Sequence, residues 1–168
     1  EVAARLGAGH IRVFGGRVPK GFTEEQAAGF AAEILKRSAD YSGSRGIVLG
    51  LENHGGITER AARIIQIVKQ VDSPWVGINL DTGNFTSNVL PQIEMCIPYA
   101  VNVQVKVEMR REDGTRGPAD WEQIAQMLVK GGYRGYLALE YERKESAVTA
   151  VPSLTRKLTE IVRKYSPS

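Results

Sequence analysis

The sequence predicts an α/β protein of the (β/α) TIM-barrel type: a partial barrel, with about five of the eight β/α units of a closed barrel present. Three observations predict it. Short apolar runs alternate with helix-length amphipathic segments along the whole chain, the pattern of parallel strands joined by crossovers. Within each run, apolar residues alternate with polar or small ones, whereas an open doubly wound sheet, covered by helices on both faces, needs strands that are apolar on both sides. The polar faces also collect ionisable groups, as the upper layer of a barrel interior does.

Strands are expected over residues 9–14, 46–52, 75–81, 100–107 and 135–141, short runs rich in Val, Ile, Leu and Tyr and bounded by Gly or Pro. Ile11 and Val13 oppose His10 and Arg12; Val76, Ile78 and Leu80 oppose Gly77, Asn79 and Asp81; Val101, Val103, Val105 and Val107 oppose Asn102, Gln104 and Lys106; Leu137, Leu139 and Tyr141 oppose Tyr136, Ala138 and Glu140.

Helices fill the gaps. Residues 1–7 read as the tail of a helix. Thr23-Glu24-Glu25-Gln26 is a capping box for a helix running to about Ser42, with Gly43 as its stop. Thr58 is placed to cap a helix whose apolar stripe includes Ala61, Ile64, Ile65 and Val68. A shorter helix near 88–99 tolerates Pro91 only in its first turn. Asp120 starts another, with Trp121, Ile124, Ala125 and Leu128 on one face and Gly131-Gly132 at its end, and Ser153 is placed to cap a last one carrying Leu154, Leu158, Ile161 and Tyr165. Residues 109–119 form the long polar loop. There is no linker, repeat or low-complexity tract, so residues 1–168 are expected to be a single domain, the C-terminal part of a barrel. The strands over 9–14 and 135–141 are then raw edges, which predicts a homo-oligomer or association with the N-terminal part of the barrel.

The composition, 42% hydrophobic and 24% charged, is that of a globular domain. A net charge of +3 with scattered basic residues argues against nucleic acid as a partner. No apolar run approaches the roughly 20 residues of a membrane span. The single cysteine, Cys96, cannot form an internal disulfide, which makes the cytoplasm the default compartment.

Glu52, Asp81 and Glu140 each come last on the polar face of a strand, so their phase points all three into the barrel at the rim where such barrels keep their active sites. Gln104 lies on the intervening strand at about the same height. Converging carboxylates repel and raise one another's pKa values, and a divalent metal removes the conflict. An oxygen-only ligand set favours Mg²⁺ or Mn²⁺ over Zn²⁺. His10, Arg12 and Lys106 point inward as well. Arg12 and Lys106 could hold a phosphate, stabilise an enediolate or balance the carboxylates, and His54, two residues after Glu52, could bond a substrate hydroxyl or a carboxylate. Gly15-Gly16 and Gly55-Gly56 end strands in tight turns and form no dinucleotide fingerprint.

Gly9-His10-Ile11-Arg12-Val13-Phe14-Gly15-Gly16, Leu51-Glu52-Asn53-His54-Gly55-Gly56, Asn79-Leu80-Asp81-Thr82-Gly83-Asn84 and Leu139-Glu140-Tyr141-Glu142, in that order, resemble the xylose isomerase-like superfamily of sugar (phosphate) isomerases and epimerases. The resemblance implies an eight-stranded barrel holding a divalent metal on Glu52, Asp81, Glu140 and a fourth ligand from the Gln104 strand. Those enzymes usually present a histidine there, in a His-x-His-x-Lys-like strand; this chain reads Asn102-Val103-Gln104-Val105-Lys106. A glutamine carbonyl still suits a hard metal, and loss of the imidazole weakens zinc most. The activity implied is metal-dependent isomerisation or epimerisation of a keto sugar, sugar phosphate or related polyol, with Glu52 and Glu140 moving a proton through an enediolate and His10, Arg12, His54 and Lys106 around the substrate. Two alternatives remain: a lyase, dehydratase or hydrolase acting on an oxidised sugar, and a non-catalytic sugar-binding barrel whose metal site has decayed at Gln104. A repair endonuclease on this scaffold needs a histidine-rich zinc site, and the chain has two histidines.

Overall fold

The computed structural model describes residues 1–165. A single helical turn, α1 (Val2–Arg5), leads into β1 (His10–Phe14). The next helix, α2 (Glu24–Gly43), starts at the expected capping box: Thr23 Oγ1 accepts the Gln26 N–H at 3.2 Å and Gln26 Oε1 accepts the Thr23 N–H at 2.8 Å. It lays Ala27, Ala28, Ala32, Leu35 and Ala39 against the sheet. There follow β2 (Val48–Glu52), α3 (Ala61–Val71), β3 (Val76–Asp81), α4 (Val89–Cys96) and β4 (Ala100–Lys106), then β5 (Glu108–Arg110), β6 (Arg116–Pro118), α5 (Trp121–Lys130), β7 (Leu137–Glu140) and α6 (Ala147–Tyr165).

Five strands pair in parallel in the order β1-β2-β3-β4-β7, each joined to the next through a helix, and β1 and β7 are bonded on one side only. The architecture is mixed α/β, a half-barrel. Its outer face carries Leu49, Leu51, Ile78, Leu80, Val103 and Val105, buried against Ile64 and Ile67 of α3, Ile93 of α4 and Ile124 of α5. Burying one such side chain stabilises by about 1.5–3 kcal/mol, which makes this layer the main support of the strands above which the polar groups stand.

Successive strands are staggered. Phe14 lies opposite Glu52, Glu52 opposite Asn79, Asp81 opposite Gln104, and Lys106 opposite Glu140. This shear, with a register shift between Ile78 and Asn79, brings strand ends from different heights to one rim. On the inner face Gly50 is required by its neighbours: a Cβ there would lie 2.2 Å from His10 Nε2 and 2.9 Å from Asn79 Cβ.

Three sequence expectations are corrected. Thr58 does not cap α3; it closes a 3₁₀ turn (Gly56–Thr58) in which its hydroxyl donates to the Gly55 carbonyl, and the free N–H at the start of α3, on Ala61, is taken by Gln92 Oε1 of α4 at 2.8 Å. Ser153 lies inside the last helix, which begins at Ala147, and its hydroxyl donates to the Ala150 carbonyl at 2.9 Å, so Pro152 is within the helix too. The polar stretch 109–119 is not an open loop: β5 and β6 pair there as a short antiparallel hairpin.

Candidate metal centre and active site

The backbone around the rim is fastened first. Asn53 bridges β2 to β3, its Oδ1 accepting the Asp81 N–H at 2.7 Å and its amide donating to the Asp81 carbonyl at 2.9 Å. Thr82 Oγ1 accepts the Lys106 N–H at 3.2 Å, and Trp121 Nε1 donates to the Lys106 carbonyl at 2.8 Å. Glu52, Asp81, Gln104 and Lys106 therefore rise from strand ends tied directly to one another, and all four are buried.

Glu52 forms one cluster. Its Oε1 lies 2.9 Å from His54 Nδ1 and accepts the Asn84 amide at 3.1 Å, while Oε2 lies 3.2 Å from Arg12 Nε. The His54 ring packs against Phe14 with centroids 4.7 Å apart, and the Arg12 guanidinium lies over the same Phe14 ring.

Asp81, Glu140 and Lys106 form the second cluster. The Lys106 ammonium is 3.6 Å from Asp81 Oδ2, 3.7 Å from Glu140 Oε1 and 2.6 Å from Glu142 Oε2. Burial, and then the facing Glu140 carboxyl, push the Asp81 carboxyl up to about 8, against the pull of the Gly83 N–H and Lys106. Burial would raise Glu140 too, but Asp81, Lys106, Gln104 and Arg12 together hold it below the usual carboxylate range. Without a cation, a proton on this pair therefore favours Asp81 over Glu140. Burial works to lower the Lys106 pKa, and the three carboxylates around the ammonium raise it overall.

The structure places the sequence-derived candidates unevenly. Arg12 and His54 reach Glu52; Lys106 and Gln104 reach Glu140; His10 stands a layer lower, over Gly50, its buried Nε2 without a partner and its pKa lowered by burial. Gln104 turns its amide nitrogen toward Glu140 Oε2 at 2.7 Å, while its oxygen accepts from Asn79, whose own oxygen accepts from Asn102 at 2.8 Å. Three amides in series across β4 and β3 thereby set which end of Gln104 faces Glu140. As arranged, Gln104 is a donor to a carboxylate, not an oxygen offered to a cation.

Sequence reasoning passed over Asn79, Asn102, Asn84, Phe14 and Glu142. The signal was available for four of them, since Phe14, Asn79, Asn102 and Glu142 each sit two residues from a singled-out position.

Whether these residues suit a divalent cation is answered by two atoms. Glu52 Oε2 and Asp81 Oδ2 are buried without a hydrogen-bond partner. Buried carboxylate oxygens without donors are costly, and a hard cation is the partner that suits them. Among the described residues, however, no three His, Cys, Asp or Glu side chains are gathered closely enough to form a ligand set as they stand. A cavity of about 690 Å³ lies elsewhere, between the start of α4 and the β5–β6 hairpin, and touches none of the three carboxylates.

A family model described as xylose isomerase-like TIM barrel matches residues 1–164. The chain belongs to this family. Two curated proteins, from Xenopus laevis and Mus musculus, both named "Putative hydroxypyruvate isomerase", are 29% and 27% identical to this xylose isomerase-like chain over 87% of its length. It spans 58% of the length of each. Among solved structures, the IOLI protein with bound zinc superposes with a TM-score of 0.81 at 17% identity, covering 99% of this chain and 67% of that one. A xylose isomerase-like TIM-barrel protein from Mycobacterium smegmatis in complex with magnesium gives 0.77 at 18% identity, covering 98% and 65%. The 3-keto-D-glucoside 4-epimerase YcjR from E. coli gives 0.74 at 17% identity, covering 94% and 66%. At these identities the structural likeness shows the fold.

Proposed function

We propose that this chain carries the metal-binding and proton-transfer half of an isomerase or epimerase acting on a keto sugar, sugar phosphate or related polyol. The observation that carries the proposal is the pair of buried carboxylate oxygens at the ends of neighbouring strands that accept no hydrogen bond from the described residues: Glu52 Oε2, met only by the Arg12 ion pair, and Asp81 Oδ2, which Lys106 approaches no closer than 3.6 Å. Glu52, Asp81 and Glu140 would hold the cation, Mg²⁺ or Mn²⁺ rather than Zn²⁺, because the donors are oxygens. Magnesium in one structural neighbour and zinc in another support a divalent ion without choosing between them. When bound, the metal supplies a Lewis acid that polarises a substrate carbonyl and acidifies the neighbouring C–H.

The remaining work falls to side chains. Glu140, held below the usual carboxylate range, is ionised at neutral pH and is the proton acceptor. Gln104, donating to its Oε2, fixes which oxygen faces the substrate. Glu52 returns a proton from the opposite side, with His54 at 2.9 Å to exchange one with it, and Arg12 steadies negative charge developing on the substrate oxygens.

The open edges of β1 and β7 and the apolar flanks beside them, Phe30 and Ile34 on α2 and Val148 and Val162 on α6, call for cover, which we assign to further strands of the same barrel or to a second copy. No helix among the described residues is long and apolar enough to cross a membrane.

A second reading, a sugar-binding barrel without catalysis, is favoured by two observations: the Gln104 oxygen is engaged by Asn79, and no ready ligand set is assembled among the described residues. One experiment separates the two. Ketoses, their phosphates and hydroxypyruvate are incubated with the protein and Mn²⁺ in D₂O and followed by NMR. Deuterium incorporation at a carbon next to a carbonyl, with a new isomer, is the expected result. Ligand-induced protection without exchange would establish the second reading and overturn the first.

A further inference from the structure

We propose that Lys106 is a resident counter-ion that stands in for the divalent cation at the Asp81–Glu140 pair, and that Glu142 anchors its ammonium off that pair so that a cation can enter. The proposal rests on the metal-centre reading above and assigns a role within it to two residues.

The ammonium is held unequally. It lies 2.6 Å from Glu142 Oε2, a full ion-pair contact, and 3.6 and 3.7 Å from Asp81 Oδ2 and Glu140 Oε1, which is attraction without a hydrogen bond. Asp81 Oδ2 accordingly remains without a hydrogen-bond partner although it is fully buried. The lysine neutralises the pair from a distance and leaves its inner oxygen vacant.

The stem of the side chain is placed with care. Its backbone is bonded to Thr82 and Trp121 on either side, and Gly83 leaves a slot for it, since a Cβ at that position would lie 2.6 Å from Lys106 Cδ. Only 7% of the side chain is exposed, whereas Glu142 is 59% exposed and lies toward solvent. A cavity of about 30 Å³, bordered by Lys106, Glu108, Glu140 and Glu142 and also by Arg116 and Arg143, provides room for about one water beside the ammonium. The stem is fixed and the tip has somewhere to go.

The electrostatic consequence is competition. A divalent ion on Asp81 and Glu140 and an ammonium a few ångströms away repel one another strongly where water is excluded. Without Glu142 the ammonium would settle onto the acid pair. With Glu142 it is drawn outward, and the cost of admitting a metal falls. Lys106 thus keeps the metal-free centre from holding uncompensated buried charge, and Glu142 keeps Lys106 from closing it.

Mn²⁺ binding, followed by the loss of the free-ion signal in electron paramagnetic resonance, tests this without any need for turnover. Lys106→Met keeps the stem and deletes the charge; it is expected to bind Mn²⁺ about tenfold tighter than the parent, while its metal-free melting temperature falls. Glu142→Gln removes the anchor and is expected to bind about tenfold more weakly. Unchanged or weaker binding by Lys106→Met overturns the stand-in role and leaves the metal centre intact; unchanged or tighter binding by Glu142→Gln overturns the anchoring role. Failure of parent and both variants to bind Mn²⁺ overturns the metal-centre reading and this proposal with it. Should Lys106→Met not fold, the Glu142→Gln measurement decides alone.

Discussion

Glu52 and Asp81 are both fully buried at the ends of adjacent strands, and each keeps one oxygen without a hydrogen-bond partner. Their counter-charges differ. Glu52 is met by Arg12 and His54, side chains 43% and 51% exposed, while Asp81 shares with Glu140 a lysine only 7% exposed. Exposed groups of the first kind can exchange partners with a substrate at little cost, because water can solvate them when they let go. A lysine of the second kind cannot withdraw without another anion to receive it. In the reaction proposed above, the β1–β2 side would meet substrate and the β4–β7 side would hold charge.

The sharpest way to break this comparison is to remove an acid from each side of the lysine. Asp81→Ala is expected to lose divalent-cation binding together with turnover, the latter by about a thousandfold or more. Glu140→Gln keeps the shape and should retain much of the cation binding while turnover falls by about 10²–10⁴-fold. Calorimetric titration with Mn²⁺ beside the deuterium-exchange assay reads both. Equal turnover in Glu140→Gln and the parent would remove Glu140 from proton transfer.

The two sides share the apolar layer beneath them. Ile78, fully buried on the helix-facing side of β3 and in register with Leu51 of β2, is the residue whose loss both should feel. Ile78→Ala is expected to cost about 2–5 kcal/mol in denaturant unfolding, and a smaller loss would show that the half-barrel relaxes around the gap.

On the exposed side the effect should be milder. His54→Ala is expected to lower kcat/KM by about tenfold and to leave Mn²⁺ affinity nearly unchanged, since His54 reaches the centre only through Glu52. A loss of metal binding as large as in Asp81→Ala would erase the distinction between the two sides.

The smallest effect is on stability against pH. Asp81 is raised from 3.8 to about 8, so the folded, metal-free protein takes up a proton that the unfolded chain has already lost between those values. Its stabilising contribution is complete below about 4 and is lost as pH rises toward 8. Glu140 is shifted the other way, and its contribution is lost only as pH falls below the ordinary carboxylate range. His10, whose pKa burial lowers from 6.5, adds stability as pH rises to about 7, so the Asp81 effect acts alone only between about 7 and 8, where stability should decline by at most about 1.4 kcal/mol per pH unit. Asp81→Asn should flatten the decline, and saturating Mn²⁺ should abolish it. A metal-free protein whose stability rises over that range would show that the proton is not held at Asp81.

Much of the fold was legible because it depends on local period. Val103 and Val105 against Asn102, Gln104 and Lys106 announce a strand with one helix-facing and one polar face, and the capping box at Thr23 states where α2 begins. Thr58 and Ser153 carry the same cap chemistry, yet neither caps a helix. A local signature does not reveal that Gln92 will reach Ala61 from another helix, or that a helix will start early enough to enclose Pro152. The β5–β6 hairpin escaped notice because its strands are three residues long and carry no alternation to read.

For the centre, the sequence alone determined which side chains face inward, because phase along a strand is a period-two property of the backbone. Glu52, Asp81, Gln104, Lys106 and Glu140 follow from that rule. Which of them meet was decided only by the tertiary structure. Barrel shear sets Lys106 opposite Glu140 and Asp81 opposite Gln104, and so brings together residues from β3, β4 and β7 that no spacing in the chain relates. The direction of the Asn102–Asn79–Gln104 amide series, and the choice of Glu142 as the closest partner of Lys106, arise the same way. Hydrogen bonds and ion pairs act over a few ångströms, and only the packed, staggered sheet determines which groups lie within that reach.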